Sequence, residues 1–297
     1  SIDITMVAAI VLPLVVALVV SFLATPIVKS FAYKLGAIDV PKDARRMHKV
    51  PIPRMGGLAI FLGFIVSMLL FCPLDDQMKG ILLGSVIIVV MGIIDDITPL
   101  RASLKFIVQI FAALIPVYYG VQITCISNPN IFSDNLYWNF GWLSIPITVV
   151  WIVGLTNAVN LIDGLDGLAI GVSTISALTM LVIAILVAEP QVAVVMAALV
   201  GACIGFMPYN MNPAKIFMGD TGSTFLGYIL ACITIQGLFK FYAVISFVVP
   251  FLILGLPIFD TMFAIFRHIS HGQYPMSADL SHVQHRLIHM GLNQKQA

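Results

Sequence analysis

The chain has 297 residues, of which 60% are hydrophobic and only 10% are charged, and its formal net charge is +1. A soluble globular domain carries roughly 25% charged residues, so this composition excludes an ordinary soluble domain and predicts an integral membrane protein. The four cysteines form no CxxC pair, which argues against a zinc site or a disulfide framework. Nothing in the charge balance predicts a nucleic-acid partner.

Uncharged runs predict about nine membrane-spanning segments in a polytopic all-α bundle that forms one domain, residues 1–297. A helix needs about 20 apolar residues to cross a bilayer. The chain begins at Ser1 with no basic segment ahead of the first run, so no cleavable signal peptide is expected. The predicted spans lie in Ile4–Val28, Gly56–Leu74, Gly80–Ile94, Phe106–Ser133, Asn135–Ile162, Gly167–Ala188, Pro190–Ala214, Thr221–Phe239 and Phe241–Phe259.

The fourth run, Phe106–Ser133, is too long for one span. Its second half is rich in Asn, Ser, Pro and aromatic residues. We therefore expect residues 121–145 to form an external loop or small hairpin, with Trp138 and Trp142 in the aromatic belt of the membrane interface.

Basic residues indicate the orientation. With nine spans, 13 of the 15 Lys and Arg residues fall on one side of the membrane, and only Lys79 and Lys240 fall on the other. Cytoplasmic loops carry the excess of Lys and Arg. The pattern therefore predicts an external N-terminus, a basic cytoplasmic loop at 29–55 and a cytoplasmic His-bearing segment at 267–297.

Acidic residues gather at the predicted cytoplasmic edge. Acids that border spans are a functional-site hypothesis by default, although any one of them could cap a helix or lie among headgroups. Two adjacent carboxylates repel each other unless a cation lies nearby, and Mg²⁺ typically takes one or two carboxylates plus substrate phosphates. The five acids are Asp95, Asp96, Asp163, Asp166 and Asp220.

The segment "NAVNLIDGLDGLA" (157–169) is the most specific motif in the chain. If the helix continues through it, Asn160, Asp163 and Asp166 recur every three residues and share one face. Asn157 precedes them by a further turn. The glycines allow a close backbone approach to a ligand, or a sharp turn.

A second polar segment, "PYNMNPAKIFMGDTGS" (208–223), offers the amide of Asn210, the ring of Phe217 and a turn that enters the eighth span. Unpaired N–H groups at that helix start would favour an anion. The motif is not a Walker P-loop, which requires G-x-x-x-x-G-K-[ST].

Two further groups of residues allow two interpretations each. Lys49 and Arg54 of the basic loop either contact substrate phosphates or serve topology and attract anionic lipid. His282, His285 and His289 share a helical face that suits metal or phosphate contacts, but by themselves they favour a solvated amphipathic helix. Together, acids that suit Mg²⁺ and cations that suit phosphates predict a reaction between a soluble phosphate donor and a lipid acceptor at the cytoplasmic face.

The motifs "MGIIDD", "NAVNLIDGLDGLA", "FMGDTGS" and "HRLIHMGL" resemble those of the polyprenyl-phosphate N-acetylhexosamine-1-phosphate transferases. The resemblance runs from about Lys34 to Gln296 and includes the WecA, TagO and MraY types. It implies a UDP-sugar donor, a polyprenyl phosphate acceptor, Mg²⁺ (with Mn²⁺ as an alternative) and UMP as the leaving product. It also implies a bacterial cytoplasmic (inner) membrane location and leaves a homodimer open.

The resemblance assigns a role to individual positions. Asp220 matches the metal-binding acid and Asn160 an amide beside the same ion. Asp95, Asp96 and Asp163 match catalytic acids. The nucleotide-sugar site is assigned to Lys49, Asn157, Asp166, Asn210, Phe217, His282, His285 and Arg286.

The string His282-Val283-Gln284-His285-Arg286 resembles the WecA and TagO types rather than the MraY type. Gln284 replaces one histidine of that pattern; if that histidine contacts a phosphate, the glutamine keeps a hydrogen bond and loses the possible charge. Family members have ten or eleven spans, so we expect this chain to lack C-terminal spans.

The implied activity is the transfer of N-acetylglucosamine-1-phosphate from UDP-N-acetylglucosamine to undecaprenyl phosphate. This would be the first membrane step of cell-envelope polysaccharide synthesis, such as lipopolysaccharide or teichoic acid. The alternatives are the same chemistry with a UDP-N-acetylgalactosamine-type or muramyl-pentapeptide donor, a transporter, or a structural scaffold.

Overall fold

In the computed structural model, residues 4–40, 50–127, 137–164, 167–239 and 255–270 are described. These residues form nine α-helices and two short antiparallel strand pairs, which makes the protein an all-α membrane protein. Five of the helices are long and apolar enough to cross a membrane by length and composition. The helices are α1 (Ile4–Leu35), α2 (Gly57–Phe71), α3 (Asp76–Ile97), α4 (Ala102–Tyr118), α5 (Ser144–Leu161), α6 (Leu168–Leu186), α7 (Pro190–Asn210), α8 (Gly219–Ile233) and α9 (Gly255–Ser270).

Several helix ends differ from the uncharged runs because charged residues continue a helix. Helix α3 begins four residues before the predicted Gly80, because Asp75 caps it by accepting a hydrogen bond from the Met78 N–H at 2.8 Å. It also includes the acid pair in its last turn. Most of the predicted ninth span, Phe241–Phe259, lies outside the described residues; its last five positions belong to α9, which runs on through the buried Asp260 to Ser270.

The segment between α4 and α5 contains a two-stranded hairpin. Strand β3 (Cys125–Ser127) pairs antiparallel with β4 (Tyr137–Asn139). A 3-10 turn, Gly141–Leu143, then leads into α5, and Trp142 within it is 80% exposed. The fourth and fifth helices are therefore shorter than the runs from which they were predicted.

Helices α1 to α8 alternate in direction, and three of the predicted acids, Asp95, Asp96 and Asp220, gather at one end of the bundle. Helix α3 ends there and α8 begins there, since the N–H groups of Asp220 and Thr221 bind the Asp96 carboxylate. At the opposite end, Gln191 at the start of α7 donates to the Pro73 carbonyl, just before α3 begins. We call the end that carries Asp95, Asp96 and Asp220 the acidic end.

The closest helix contacts involve glycine. Helix α1 packs on α2 and α7, and a Cβ at Gly201 of α7 would overlap the Leu14 carbonyl oxygen of α1. Gly205 and Gly63 meet the α1 backbone in the same way. We call this contact of α1, α2 and α7 the glycine corner. It brings backbones together without any large side chain between them.

A second close contact positions the acidic end. A Cβ at Gly57, the first residue of α2, would overlap the backbone of Gly222 in α8. Strand β2 (Ile52–Pro53), which pairs with β1 (Ile38–Asp39), lies beside the same loop. The Phe217 N–H donates to the Pro53 carbonyl at 2.8 Å, and the Gly56 N–H donates to the Phe217 carbonyl at 3.0 Å. The end of the basic loop and the start of α8 are thus one connected unit.

Candidate active site

Lys105, in the first turn of α4, joins two of the predicted acids. Its ammonium lies 3.0 Å from the Asp95 carboxylate and 3.2 Å from the Asp220 carboxylate. The side chain of Asp95 is 5% exposed, whereas that of Asp220 is 31% exposed. One cation therefore bridges acids from α3 and α8, and the acid that remains open to the outside is Asp220.

The two adjacent aspartates make different contacts. Asp95 accepts a hydrogen bond from the Leu100 N–H at 2.7 Å, which closes the α3–α4 turn and brings Lys105 back toward α3. Asp96 instead contacts the start of α8. It accepts from the Asp220 N–H at 2.9 Å, from the Thr221 N–H at 3.2 Å and from the Thr221 hydroxyl at 2.6 Å.

Asp96 therefore caps the start of α8. The expectation of unpaired N–H groups at that helix start is wrong for Asp220 and Thr221, because a buried carboxylate of the chain itself accepts from both. A negative charge at a helix N-terminus is stabilising. Gly219 makes this approach possible, because its φ is +71° and a Cβ there would overlap the Asp96 carboxylate.

Asn160 lies in the last turn of α5 and faces α8. Its side-chain oxygen accepts a hydrogen bond from the Ser223 hydroxyl at 2.7 Å. The same hydroxyl contacts the Gly219 carbonyl at 3.1 Å, and the Thr224 hydroxyl donates to the Asp220 carbonyl. The structure therefore brings Asp95, Asn160 and Asp220 to one end of α8.

The helix through "NAVNLIDGLDGLA" does not continue. Helix α5 ends at Leu161, and the Gly164 N–H closes a tight turn on the Ile162 carbonyl at 2.8 Å. Asp163 lies in this turn rather than on the helical face with Asn160. Gly167, with a φ of +82°, is the N-cap of α6, which begins at Leu168.

Three residues of the predicted nucleotide-sugar site fall within the described chain. Asn157 is buried, and its amide nitrogen donates to Gln109 at 2.6 Å and to the Val153 carbonyl at 2.8 Å. The amide nitrogen of Asn210 closes the following loop on the Ile216 carbonyl at 3.0 Å. Phe217 is half-buried, and its backbone lies between Pro53 and Gly56.

Arg54, which the sequence offered as a phosphate contact, pairs instead with Asp39 at 2.6 Å. The remaining predicted residues lie outside the described part of the chain. These are Lys49, Asp166, His282, His285 and Arg286.

Sequence reasoning missed three contributors to this site. Lys105 was used only to orient the spans, although a lone lysine ten residues after an acid pair was a usable signal. Gln109 gave no signal by itself, because one Gln in an apolar run is common, and Ser223 lay inside the motif "FMGDTGS" without being singled out. Their importance depends on which helices become neighbours.

The donors at Asp220 and Asn160 fit a hard divalent ion. Both groups present oxygen, and Mg²⁺ is usually held by one or two carboxylates with waters and substrate phosphates. Within the described residues, no group of three His, Cys, Asp or Glu side chains could hold a metal by itself. The chain thus offers part of a coordination sphere, which a diphosphate could complete.

Comparison with known proteins agrees with this chemistry. The sequence model described as glycosyl transferase family 4 matches residues 78–238. A Bacillus subtilis protein named as a probable undecaprenyl-phosphate N-acetylglucosaminyl 1-phosphate transferase is 43% identical over 96% of this chain and 79% of its own length.

Two further relatives widen the comparison. A Mycolicibacterium smegmatis decaprenyl-phosphate N-acetylglucosaminephosphotransferase is 33% identical over 95% of this chain and 76% of its own. A Caldicellulosiruptor bescii phospho-N-acetylmuramoyl-pentapeptide-transferase is 36% identical over 76% of this chain and 72% of its own. A match over more than half of the chain, together with these identities, shows that this multi-pass membrane protein belongs to glycosyl transferase family 4.

Proposed function

We propose that this protein transfers N-acetylglucosamine-1-phosphate from UDP-N-acetylglucosamine to undecaprenyl phosphate and releases UMP. The observation that carries the proposal is the convergence of Asp95 and Asp220 on the Lys105 ammonium beside Asn160. This arrangement offers carboxylate and amide oxygens for a cation together with a fixed positive charge for an anion. The 43% identical relative, named for this activity, supports the choice of donor and acceptor.

The reaction exchanges one phosphoanhydride for another. An oxygen of the lipid phosphate attacks the sugar-linked phosphorus, and the bond from that phosphorus to the bridging oxygen breaks. UMP leaves with the electron pair. A phosphate monoester has a second pKa of about 6, so the nucleophile is ionised near pH 7 and needs no strong general base.

Because no strong base is needed, we assign Asp95 to positioning. It orients Lys105, whose ammonium then contacts the phosphate groups that approach Asp220. Asp96 holds the first turn of α8, and so fixes where the Asp220 carboxylate points.

Asp220 and Asn160 would hold Mg²⁺, with Mn²⁺ as an alternative. When bound, the ion would neutralise the charge that develops on the departing phosphate. The chain supplies the place for the ion and the cation opposite it, while the diphosphate supplies the remaining oxygens.

We propose nine spans in this chain, an external N-terminus and a site at the cytoplasmic face of the bacterial inner membrane. The alternating helices and the basic loop next to the acidic end support this topology. In a background without the native cysteines, one of which is Cys125 in the second segment, cysteines placed one at a time in 29–55 and in 121–145 would test it, since an impermeant thiol reagent added outside cells should label only the second segment. Homodimer formation and the glycan pathway that uses the product stay predictions.

A panel of UDP-sugars tests the donor. Purified protein in lipid nanodiscs with undecaprenyl phosphate and Mg²⁺ should release UMP with UDP-N-acetylglucosamine. A second candidate donor is UDP-N-acetylmuramyl-pentapeptide, because one relative is named for that transfer. Turnover with only the second donor, or with none of the panel, would contradict the proposal.

A further inference from the structure

A buried amide pair joins α4 to α5 close to Lys105. The Gln109 side-chain oxygen accepts a hydrogen bond from the Asn157 amide nitrogen at 2.6 Å. Gln109 is 1% exposed and Asn157 is 7% exposed. The Gln109 amide nitrogen is buried and has no hydrogen-bond partner among the described residues. Within the described part of the chain, this interhelical bond therefore leaves one polar group without a partner.

The pair lies one helical turn from two residues of the candidate site. Gln109 follows Lys105 by four positions on α4, and Asn157 precedes Asn160 by three positions on α5, so each pair shares a helix face. Lys105 contacts Asp220 and Asn160 contacts Ser223, both on α8. The amide pair therefore sets how α4 and α5 are placed relative to each other at the level where both meet α8.

Stability alone does not account for this pair. A buried donor without a partner is destabilising, whereas replacing both partners of a buried hydrogen bond by apolar groups can be neutral or stabilising. A buried polar contact can instead fix the register of neighbouring helices. Because this pair lies one turn from Lys105 and Asn160, fixing the register of the two helices would also fix the positions of these two site residues.

We propose that Gln109 is a positioning residue for the transfer reaction. Through its hydrogen bond to Asn157 it fixes the register of α4 against α5, and so holds the Lys105 ammonium at the correct distance from Asp220 and Asn160. This inference rests on the proposed function and adds to it a residue that contacts neither substrate nor metal. It also assigns the Asn157 side chain to helix register rather than to the nucleotide.

The test is a double-mutant cycle on UMP release. Gln109→Leu and Asn157→Leu should each lower kcat by at least about tenfold, because a misplacement of about 1 Å can cost 10²-fold. The double variant should lose no more than the worse single variant, because both remove one shared contact. Its unfolding temperature in detergent should equal or exceed those of the single variants, since no amide is then left buried alone.

A swap supplies the rescue. Gln109→Asn combined with Asn157→Gln keeps the combined length of the two side chains, and should recover more kcat than either single change. The matched control is Tyr228→Phe, which removes another buried bond to α4, from the Tyr228 hydroxyl to the Ala112 carbonyl at 2.8 Å. That control should lower the unfolding temperature and leave kcat within about threefold, because Tyr228 follows Asp220 by eight positions on α8 and its hydroxyl contacts a backbone carbonyl rather than Lys105 or Asn160.

Hydrogen exchange gives a second readout that needs no substrate. The Leu100 N–H is bound to Asp95, the partner of Lys105, so Gln109→Leu should speed its exchange and the swap should restore its protection. Wild-type kcat in the double variant, additive losses in the cycle, or unchanged Leu100 protection in Gln109→Leu would each overturn the inference. A wild-type protein that released no UMP would instead refute the proposed function, and the exchange result would then still decide whether Gln109 sets the helix register.

Discussion

The glycine corner and the acidic end are both closely packed, but they are built from different residues. In the glycine corner, Gly201 and Gly205 let α7 touch the backbone of α1, and nothing charged lies between them. At the acidic end, the charged side chains of Asp95, Lys105 and Asp220 join α3, α4 and α8. Substitutions in the first region should therefore change stability, whereas substitutions in the second should change chemistry while the fold persists.

The largest expected effect is at Asp220. Asp220→Ala should abolish UMP release at every Mg²⁺ concentration, because it removes the exposed carboxylate that would hold the ion. The helical circular dichroism signal should remain that of the wild type. Retained turnover at high Mg²⁺ would contradict the assignment of Asp220 as a metal ligand and show that other residues hold the ion.

Lys105 should have the next largest effect. Lys105→Gln should lower kcat by about 10²–10³-fold, the usual loss when one preorganised donor to a developing negative charge is removed. Binding of Mn²⁺, followed by electron paramagnetic resonance, should become tighter because the competing ammonium is gone. Weaker Mn²⁺ binding would show that Lys105 helps to build the ion site rather than competing for it.

The glycine corner gives the contrasting result. Gly201→Ala should destabilise the protein by about 1–3 kcal/mol, as overpacking typically does, because its Cβ would overlap the Leu14 carbonyl. The kcat of the surviving folded fraction should match the wild type. The matched control is Gly154→Ala in α5, where a Cβ meets nothing within 4 Å, and it should be neutral or stabilising by up to about 1 kcal/mol.

Substitutions of the two adjacent acids should have different effects, one on stability and the other on turnover. Asp96→Asn keeps one acceptor but loses the charge at the start of α8, so unfolding should become easier by about 0.5–2 kcal/mol, the range for a helix cap. Asp95→Asn should affect turnover more than stability, because it loosens Lys105. Equal unfolding temperatures for both variants would show that Asp96 does not contribute more to stability than Asp95 does.

Much of the fold followed from the sequence because membrane helices depend on long apolar runs. The prediction of a polytopic helical membrane protein was confirmed, whereas individual ends were less accurate. Counting charges broke α3 at Lys79 and Asp95, although a helix can continue through a charge that lies at an interface or has a partner. The predicted end of the fifth span, Ile162, lies one residue beyond the observed end of α5, whereas a helix continued through Asp163, which the Asn and Asp spacing also fits, is not what forms.

The candidate site was predicted in part. The motifs pointed to Asp95, Asn160 and Asp220, which the structure places around the start of α8. The partners Lys105, Gln109 and Ser223 could not be chosen, because one sequence does not tell which helices face each other. The sequence predicted the same catalytic role for Asp95 and Asp96, whereas in the structure Asp95 contacts Lys105 and Asp96 contacts the start of α8.

The proposed transfer of the sugar phosphate requires that the bond between the two phosphates of the donor breaks. UDP-N-acetylglucosamine labelled with ³²P in the sugar-linked phosphate, incubated with the wild-type protein, Mg²⁺ and undecaprenyl phosphate, tests this directly. We predict that the label enters the lipid fraction and that the nucleotide released is unlabelled UMP. Label recovered in water-soluble UDP, with sugar alone on the lipid, would contradict transfer of the sugar phosphate.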